Sequence, residues 1–223
     1  MLLSNGASLS ESEMAFAADD VELAQAVGAW TSGRVIEDAS RWHHRGPTFA
    51  RIAINACAAE FRSGDFAERF IASVRGAGLP LNLFDLEVAE TVLTGRAASC
   101  AVAALTTLSE AGVNLTLDEF GRGAGSLSNL RRLPIRCIKI DGSFITAFAD
   151  DPSEVAMVRA IIGLANGFGI GVSADGIATA GQASALSTLG CRIGQGEFCG
   201  LAEPAARIAV RLGQLARRNS SGG

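Results

Sequence analysis

The sequence predicts an α/β fold built from parallel strands closing toward a TIM-like (β/α) barrel. Two observations carry this. Short apolar strands alternate with helices of about ten or more residues, the pattern of right-handed βαβ units. Nearly every strand also finishes on a polar residue: Asn55, Glu87, Asp118 with Glu119, Lys139 with Asp141, Asp175 and Gln195. An open doubly wound sheet would give the same alternation, but there the ligand sits at one switch point and few strands carry such residues. In a barrel all the C-terminal strand ends converge on one mouth, so the distribution favours the barrel. An acid after a strand can also simply cap the next helix; six strands in succession are harder to explain that way.

Residues 1–14 read as a polar lead-in, and one domain is expected over 15–218. A helical stretch reaches about Trp42, with Val21, Leu23, Ala24, Val27, Trp30, Val35 and Ile36 recurring on one face. Strands are predicted at 51–57, 83–88, 113–117, 136–140, 170–174 and 192–198. The helices between them fall at 65–74, 97–111, 127–133, 155–168 and 181–189, with a closing helix at 204–217 and a disordered end at 219–223. About six strands are recognisable, fewer than a closed eight-stranded barrel needs. The two raw edges then require protection, from the N-terminal residues or a second chain.

With 48% hydrophobic residues there is ample material for a core. The net charge of −4 and pI near 5.3 argue against a duplex nucleic-acid binder, which needs a basic surface. Glu11, Glu13, Asp19 and Asp20 stand where a secretion signal would carry cations and an apolar run. No apolar stretch is long enough to span a bilayer, so a cytoplasmic location is expected. The cysteines (Cys57, Cys100, Cys137, Cys191, Cys199) are odd in number, form no CxxC pair and sit in apolar stretches, which reads as small buried hydrophobes. Lysine is the unusual count. Of 19 cationic side chains 18 are arginine, and the one lysine, Lys139, lies inside an apolar strand, which calls for a chemical explanation.

Several carboxylates and an amide converging with a lysine, and no usable histidine, suit a hard divalent cation such as Mg or Mn. Two such ions about 3.5–4 Å apart are a standard device for hydrolysing a phosphodiester. The loop Gly121-Arg122-Gly123-Ala124-Gly125 echoes a dinucleotide fingerprint, but its spacing is wrong and the two preceding acids would repel a pyrophosphate. His43-His44 reads as a solvated helix end, and Arg207, Arg211, Arg217 and Arg218 as the exposed face and end of the last helix.

The ordered motifs resemble the EAL family of cyclic di-GMP phosphodiesterases, which fold as modified TIM barrels. Asn55 with Glu60-Phe61-Arg62 looks like the family's Val-Asn-x-Ser…Gln-Phe segment, and Leu86-Glu87-Val88-Ala89-Glu90-Thr91 like Leu-Glu-Ile-Thr-Glu-Ser. Asp118-Glu119-Phe120-Gly121-Arg122-Gly123 is similar to Asp-Asp-Phe-Gly-Thr-Gly, and Lys139-Ile140-Asp141 with Ser143-Phe144 matches closely. Ala174-Asp175-Gly176-Ile177-Ala178-Thr179 resembles Ala-Glu-Gly-Val-Glu-Thr, and Gln195-Gly196 completes the series. The resemblance implies metal ligation by Asn55, Glu87, Asp118 and Glu119. Lys139, Asp175 and Gln195 become the catalytic candidates, and Glu90 would brace the loop after Asp118. Asp141 and Arg122 are the candidates for contact with the nucleotide, Arg122 being weighed against a merely solvated arginine.

The departures shape the functional expectation. The defining Glu-Ala-Leu tripeptide is not found upstream of Asn55, and Val21-Glu22-Leu23 falls in a helical pattern. Asp175 replaces a glutamate and is one methylene shorter; Glu119 makes the opposite change. Ala178 replaces a second glutamate and cannot bind an ion. Three readings follow: a degenerate, non-catalytic EAL-like domain that binds cyclic di-GMP or a protein, a working phosphodiesterase, and an interaction module that sees no nucleotide. The expected partners are cyclic di-GMP, a protein partner or a second copy of the chain, with Mg or Mn held weakly.

Overall fold

The computed structural model describes residues 20–45, 49–95, 98–122, 127–148 and 151–220. Its strands are β1 (Ile52–Ala56), β2 (Phe84–Ala89), β3 (Asn114–Phe120), β4 (Cys137–Ile140), β5 (Gly171–Ala174) and β6 (Ile193–Gly194). All are parallel and hydrogen-bond in chain order, so β1 and β6 are the edges of one sheet curled into a half-barrel. The helices are α1 (Val21–Arg45), α2 (Phe66–Gly76), α3 (Ala98–Glu110), α4 (Leu127–Arg132), α5 (Gly142–Thr146), α6 (Pro152–Phe168), α7 (Ala180–Thr188) and α8 (Ala205–Ser220). Short 3-10 turns at Glu60–Ser63, Leu81–Leu83 and Glu90–Leu93 complete the connections around β1 and β2. The barrel-type α/β fold expected from the sequence is what forms. Residues 1–14 and 221–223 lie outside the described residues, and α8 continues through Asn219 and Ser220. Among the described residues no helix is long and apolar enough to cross a membrane.

Period-two alternation divides the sheet into two faces. Phe84, Leu86 and Val88 of β2, Leu115 and Leu117 of β3, and Ile138 and Ile140 of β4 are all buried in one layer under the helices. The intervening residues, Asp85, Glu87, Thr116, Asp118 and Lys139, lie on the opposite, concave face. A chain of ring contacts ties the convex layer to its helices: Phe61 to Phe66 at 4.9 Å, Phe66 to Phe70 at 6.1 Å and Phe70 to Phe84 at 5.8 Å. Edge and stacked pairs of this kind add about 0.5–1.5 kcal/mol each beyond area burial.

Local chemistry sets the helix ends. Asp151 accepts the Ser153 amide at 2.8 Å, Pro152 opens α6, and Gly169 closes it at φ +68. At α7, Thr179 and Gln182 form a reciprocal capping box, and the Gln182 amide also donates to the Ile145 carbonyl at 2.9 Å, tying α7 to α5. α5 itself was not expected. Asp141 starts it by accepting the Ser143 amide at 2.9 Å.

Three expectations need correction. The sixth strand, expected over 192–198, is only Ile193–Gly194. At Gly196, φ is +141 and an added Cβ would stand 2.3 Å from the Ile177 carbonyl oxygen, so the chain folds back onto Ile177 instead of extending. The cysteines are not uniformly buried: Cys57, Cys100 and Cys199 are exposed and Cys137 is half-buried, leaving Cys191 alone in the core. Apolar sequence neighbours do not bury a residue on the outward side of a helix or in a turn. On α1, Leu23 and Trp30 are 44% and 47% exposed, whereas Ala24, Ile36 and Ala39 form the buried stripe.

Phe84 is fully buried and closes the ring chain. Phe84→Ala should destabilise the domain by about 3–5 kcal/mol, read as a lower midpoint in urea unfolding. Ala53→Ser, at an exposed position of β1, should leave the midpoint within about 0.5 kcal/mol of wild type.

Candidate functional site

The strand register brings the polar residues of β1–β4 together at the C-terminal end of the sheet. Asn55 stands opposite Glu87, and Asp118 opposite Ala89. Between β2 and β4 the gap is closed by Lys139, whose Nζ donates to Glu87 Oε2 at 2.7 Å and to Asp118 Oδ2 at 3.0 Å. Lys139 is 5% exposed, and Glu87 is also buried. Asp118 has both oxygens engaged, since Oδ1 accepts the Glu119 amide at 2.7 Å.

Glu119 sits on an irregularity. The β3–β4 register shifts between Leu117 and Phe120, and Glu119 has φ +53, a left-handed conformation costing about 1–3 kcal/mol for a non-glycine residue. The bulge turns its side chain out to an exposed position. Gly121 follows at φ +101, where a Cβ would press on the Phe144 ring at 2.9 Å, so the exit from β3 lies flat against α5.

Asn55, Glu87, Asp118 and Glu119 line one cavity of about 590 Å³, within the ordinary range for ligand sites. Its far wall is α1, through Val27, Gly28 and Thr31. That wall was not foreseen, because α1 read as a helix packed by its apolar stripe. The structure does not bring the remaining candidates to this cavity. Asp175 Oδ1 accepts the next residue's amide, Gly176, at 2.7 Å, so the carboxylate is turned onto its own backbone. Gln195 is exposed beyond β6. Asp141 is spent on capping α5, and its second oxygen lies 3.7 Å from the exposed Arg122 guanidinium. Glu90 is 4% exposed, and its Oε2 has no hydrogen-bond partner among the described residues. The loop it was expected to brace continues into 123–126, outside the described residues.

The EAL domain model matches residues 1–202. The chain belongs to the EAL domain family. Among relatives, it is 31% identical over 188 residues to the cyclic di-GMP phosphodiesterase PA2567 of Pseudomonas aeruginosa, covering 84% of this chain and 32% of that protein. The PaMucR phosphodiesterase of the same organism, solved as a c-di-GMP complex, superposes with a TM-score of 0.82 at 29% identity, over 93% of this chain and 83% of that one. BlrP1 of Klebsiella pneumoniae, solved as a manganese and cyclic di-GMP complex, shares the fold with a TM-score of 0.67 at 23% identity, over 85% and 45% of the two chains. The chain spans about a quarter to a third of the length of the curated relatives it matches.

Hard oxygen donors do suit a divalent ion. The EAL domain described here, however, places no three carboxylates, thiols or imidazoles close enough to hold one, among its described residues. The two acids that do converge are satisfied by an ammonium. Asn55, Glu87, Asp118 and Glu119 are the oxygen donors that would face a divalent ion in this cavity. What the trio does is electrostatic. Burial pushes Glu87 above the usual carboxylate range, with Lys139 opposing and Asp118 and Asp85 adding to the rise. Burial alone would lower the Lys139 ammonium, but the Glu87 and Asp118 carboxylates outweigh it and hold it above its usual value.

A second buried acid braces the cavity from behind. Glu60 is 4% exposed and accepts the Cys57 amide at 2.9 Å, while Gln25 of α1 donates to the Ala59 carbonyl at 2.8 Å. An added Cβ at Gly28 would lie 2.3 Å from the Glu60 carboxylate, so the glycine lets α1 close over it. The signal was in the sequence: the family's glutamine is an acid here.

Burial raises Glu60, partly offset by the Cys57 amide. A raised folded-state value means the folded chain holds this proton more tightly than the unfolded chain. Stability from this source is present at low pH and lost as pH rises through the raised value. Glu60→Gln should therefore melt together with wild type near pH 4 and a few degrees above it by about pH 8, as followed by circular dichroism. Glu60→Gln melting together with wild type at both ends would show that the carboxylate carries no burial penalty.

Proposed function

We propose that this domain is a degenerate, non-catalytic member of the EAL family that acts in cyclic di-GMP signalling in the cytoplasm, as a nucleotide-binding or protein-interaction regulator. The observation that carries the reading is that no third acid converges on Glu87 and Asp118 among the described residues. Asp175 is turned onto the Gly176 amide, and at 178 an alanine stands where the family motif has its second glutamate. Without pre-organised cations at the phosphodiester, the several kcal/mol of transition-state stabilisation they supply is lost.

The cavity beside Asn55 and Glu119 is large enough to take part of a dinucleotide, and its α1 wall is mainly apolar. A protein or a second copy is favoured at the β6 edge, where Ile193, Phe198 and Leu201 are 56%, 50% and 70% exposed. One observation favours the active alternative: the four residues expected to ligate metal do share a single cavity.

Titration with cyclic di-GMP by calorimetry, with and without Mn²⁺, followed by chromatography of the mixture, tests the proposal. Saturable binding with no linear dinucleotide formed is the expected result for a receptor, and absence of heat points to the protein-interaction role. Metal-dependent appearance of the linear product would establish a working phosphodiesterase and sink the reading.

A further inference from the structure

Every helix from α1 to α7 sends at least one side chain into the core, whereas α8 sends none. Among its described side chains, those of residues 205–215, none is fully buried and none packs against the core. Yet α8 has an apolar face. Ile208, Leu212 and Leu215 recur at helical spacing, the first two half-buried and Leu215 50% exposed.

Its charge sets it apart as well. α8 holds four arginines, Arg207, Arg211, Arg217 and Arg218, and no acid, in a chain whose net charge is −4. Arg207 and Arg211 stand four residues apart and share one exposed side, with Val210 beside them at 62% exposure. The preceding segment extends this surface. Arg211 pairs with Glu203 at 3.3 Å, and a Cβ at Gly200 would stand 3.0 Å from the same guanidinium. The chain around the exposed Phe198 and Leu201 therefore runs alongside the helix.

We propose that α8 and the 198–201 segment form a docking surface for an anionic lipid bilayer, with the helix lying in the plane of the headgroups. This goes beyond the nucleotide reading and does not depend on it. A cationic helix of low overall hydrophobicity with one apolar face settles at the headgroup boundary. With 16 residues α8 is about 24 Å long, and no described helix is apolar enough to cross the bilayer. Charge complementarity selects the occupant: guanidinium groups pair with headgroup phosphates, and attraction to an anionic leaflet acts within about a Debye length of it. Over so short a range the arginines of α8 are felt before the net charge of the whole chain. A fluid surface also accepts apolar side chains set among arginines on a helix and a loop, where a protein partner would need a groove shaped to fit.

The test is co-sedimentation of the full chain with vesicles of phosphatidylcholine, alone or mixed with phosphatidylglycerol, at low and high salt. The chain should pellet with the anionic vesicles at low salt, ignore phosphatidylcholine alone, and be released by high salt. Arg207→Gln with Arg211→Gln should weaken partitioning about tenfold or more, since each cation near the surface adds its own attraction. Val210→Asn with Leu215→Asn keeps the charge and should weaken partitioning too, which attraction by charge alone would not produce. All four positions are exposed, so unchanged melting by circular dichroism checks that the variants fold. Arg34→Gln, at an exposed arginine of α1, should partition as wild type does. Failure to pellet with anionic vesicles, equal pelleting with both vesicles, indifference to the Val210 and Leu215 changes, or equal weakening by Arg34→Gln would overturn the proposal. Capture on immobilised polyglutamate without vesicle binding would also overturn it, in favour of an acidic protein. So would a dimer in sedimentation equilibrium that the α8 variants dissociate, with no vesicle binding, in favour of a second copy. None of these readouts involves cyclic di-GMP, so the functional reading and this one stand or fall separately.

Discussion

Three strands of this half-barrel meet at one nitrogen. Lys139 Nζ holds Glu87 of β2 and Asp118 of β3 from β4, and each partner is tenable in its buried place only because the others are there. A buried carboxylate beside another carboxylate pays for desolvation and repulsion together; an ammonium between them reverses the second and offsets part of the first. The opposite directions in which burial and pairing act on Glu87 and Lys139 express that mutual dependence. Breaking one member would leave an uncompensated charge on the concave face, a costlier event than losing an exposed ion pair such as Arg34 with Glu37.

The half-barrel decides how this trio meets its surroundings. With β1 and β6 as edges, the convex layer from Phe84 to Ile140 is packed by helices, while the concave layer is polar from Asp85 up to Asp118. β1 feels the difference most: Ile54 and Ala56 are buried, but Ala53 and Asn55 on the other face are exposed. α1 answers part of that exposure by leaning over the site, with Gly28 and Glu60 in close contact and Gln25 fastened to Ala59. The cavity thus owes one wall to a helix that precedes the sheet and contributes no charged group to the site.

What the sequence disclosed, and what it withheld, divides along physical lines. Strands β1 to β5 were legible because apolar residues recur with strand spacing and are flanked by turn formers. Lys139 was legible because a lone lysine in an arginine-rich chain breaks a compositional habit. Glu87 and Asp118 followed from their place at strand ends. Hidden were features fixed by one torsion or one contact. The left-handed φ of Glu119, the turn of Asp175 onto the Gly176 amide and the early end of β6 at Gly196 leave no periodic trace. Exposure of Cys57, Cys100 and Cys199 was misread because apolar neighbours in the chain lie on alternate faces, so they say little about which way a given thiol points.

The bulge at Glu119 separates two properties that usually travel together. In a regular strand, the pleat sets both where a residue sits and which face its side chain takes. At φ +53 Glu119 keeps its place at the end of β3, but its Cα–Cβ bond leaves the pleat and carries the side chain to the exposed rim of the cavity. Exchanging aspartate for glutamate there lengthens the reach from that displaced root, with the χ angles still choosing its direction. The end of β3 can vary what it touches at the rim of the cavity while Asp118, one residue earlier, stays fastened to Lys139.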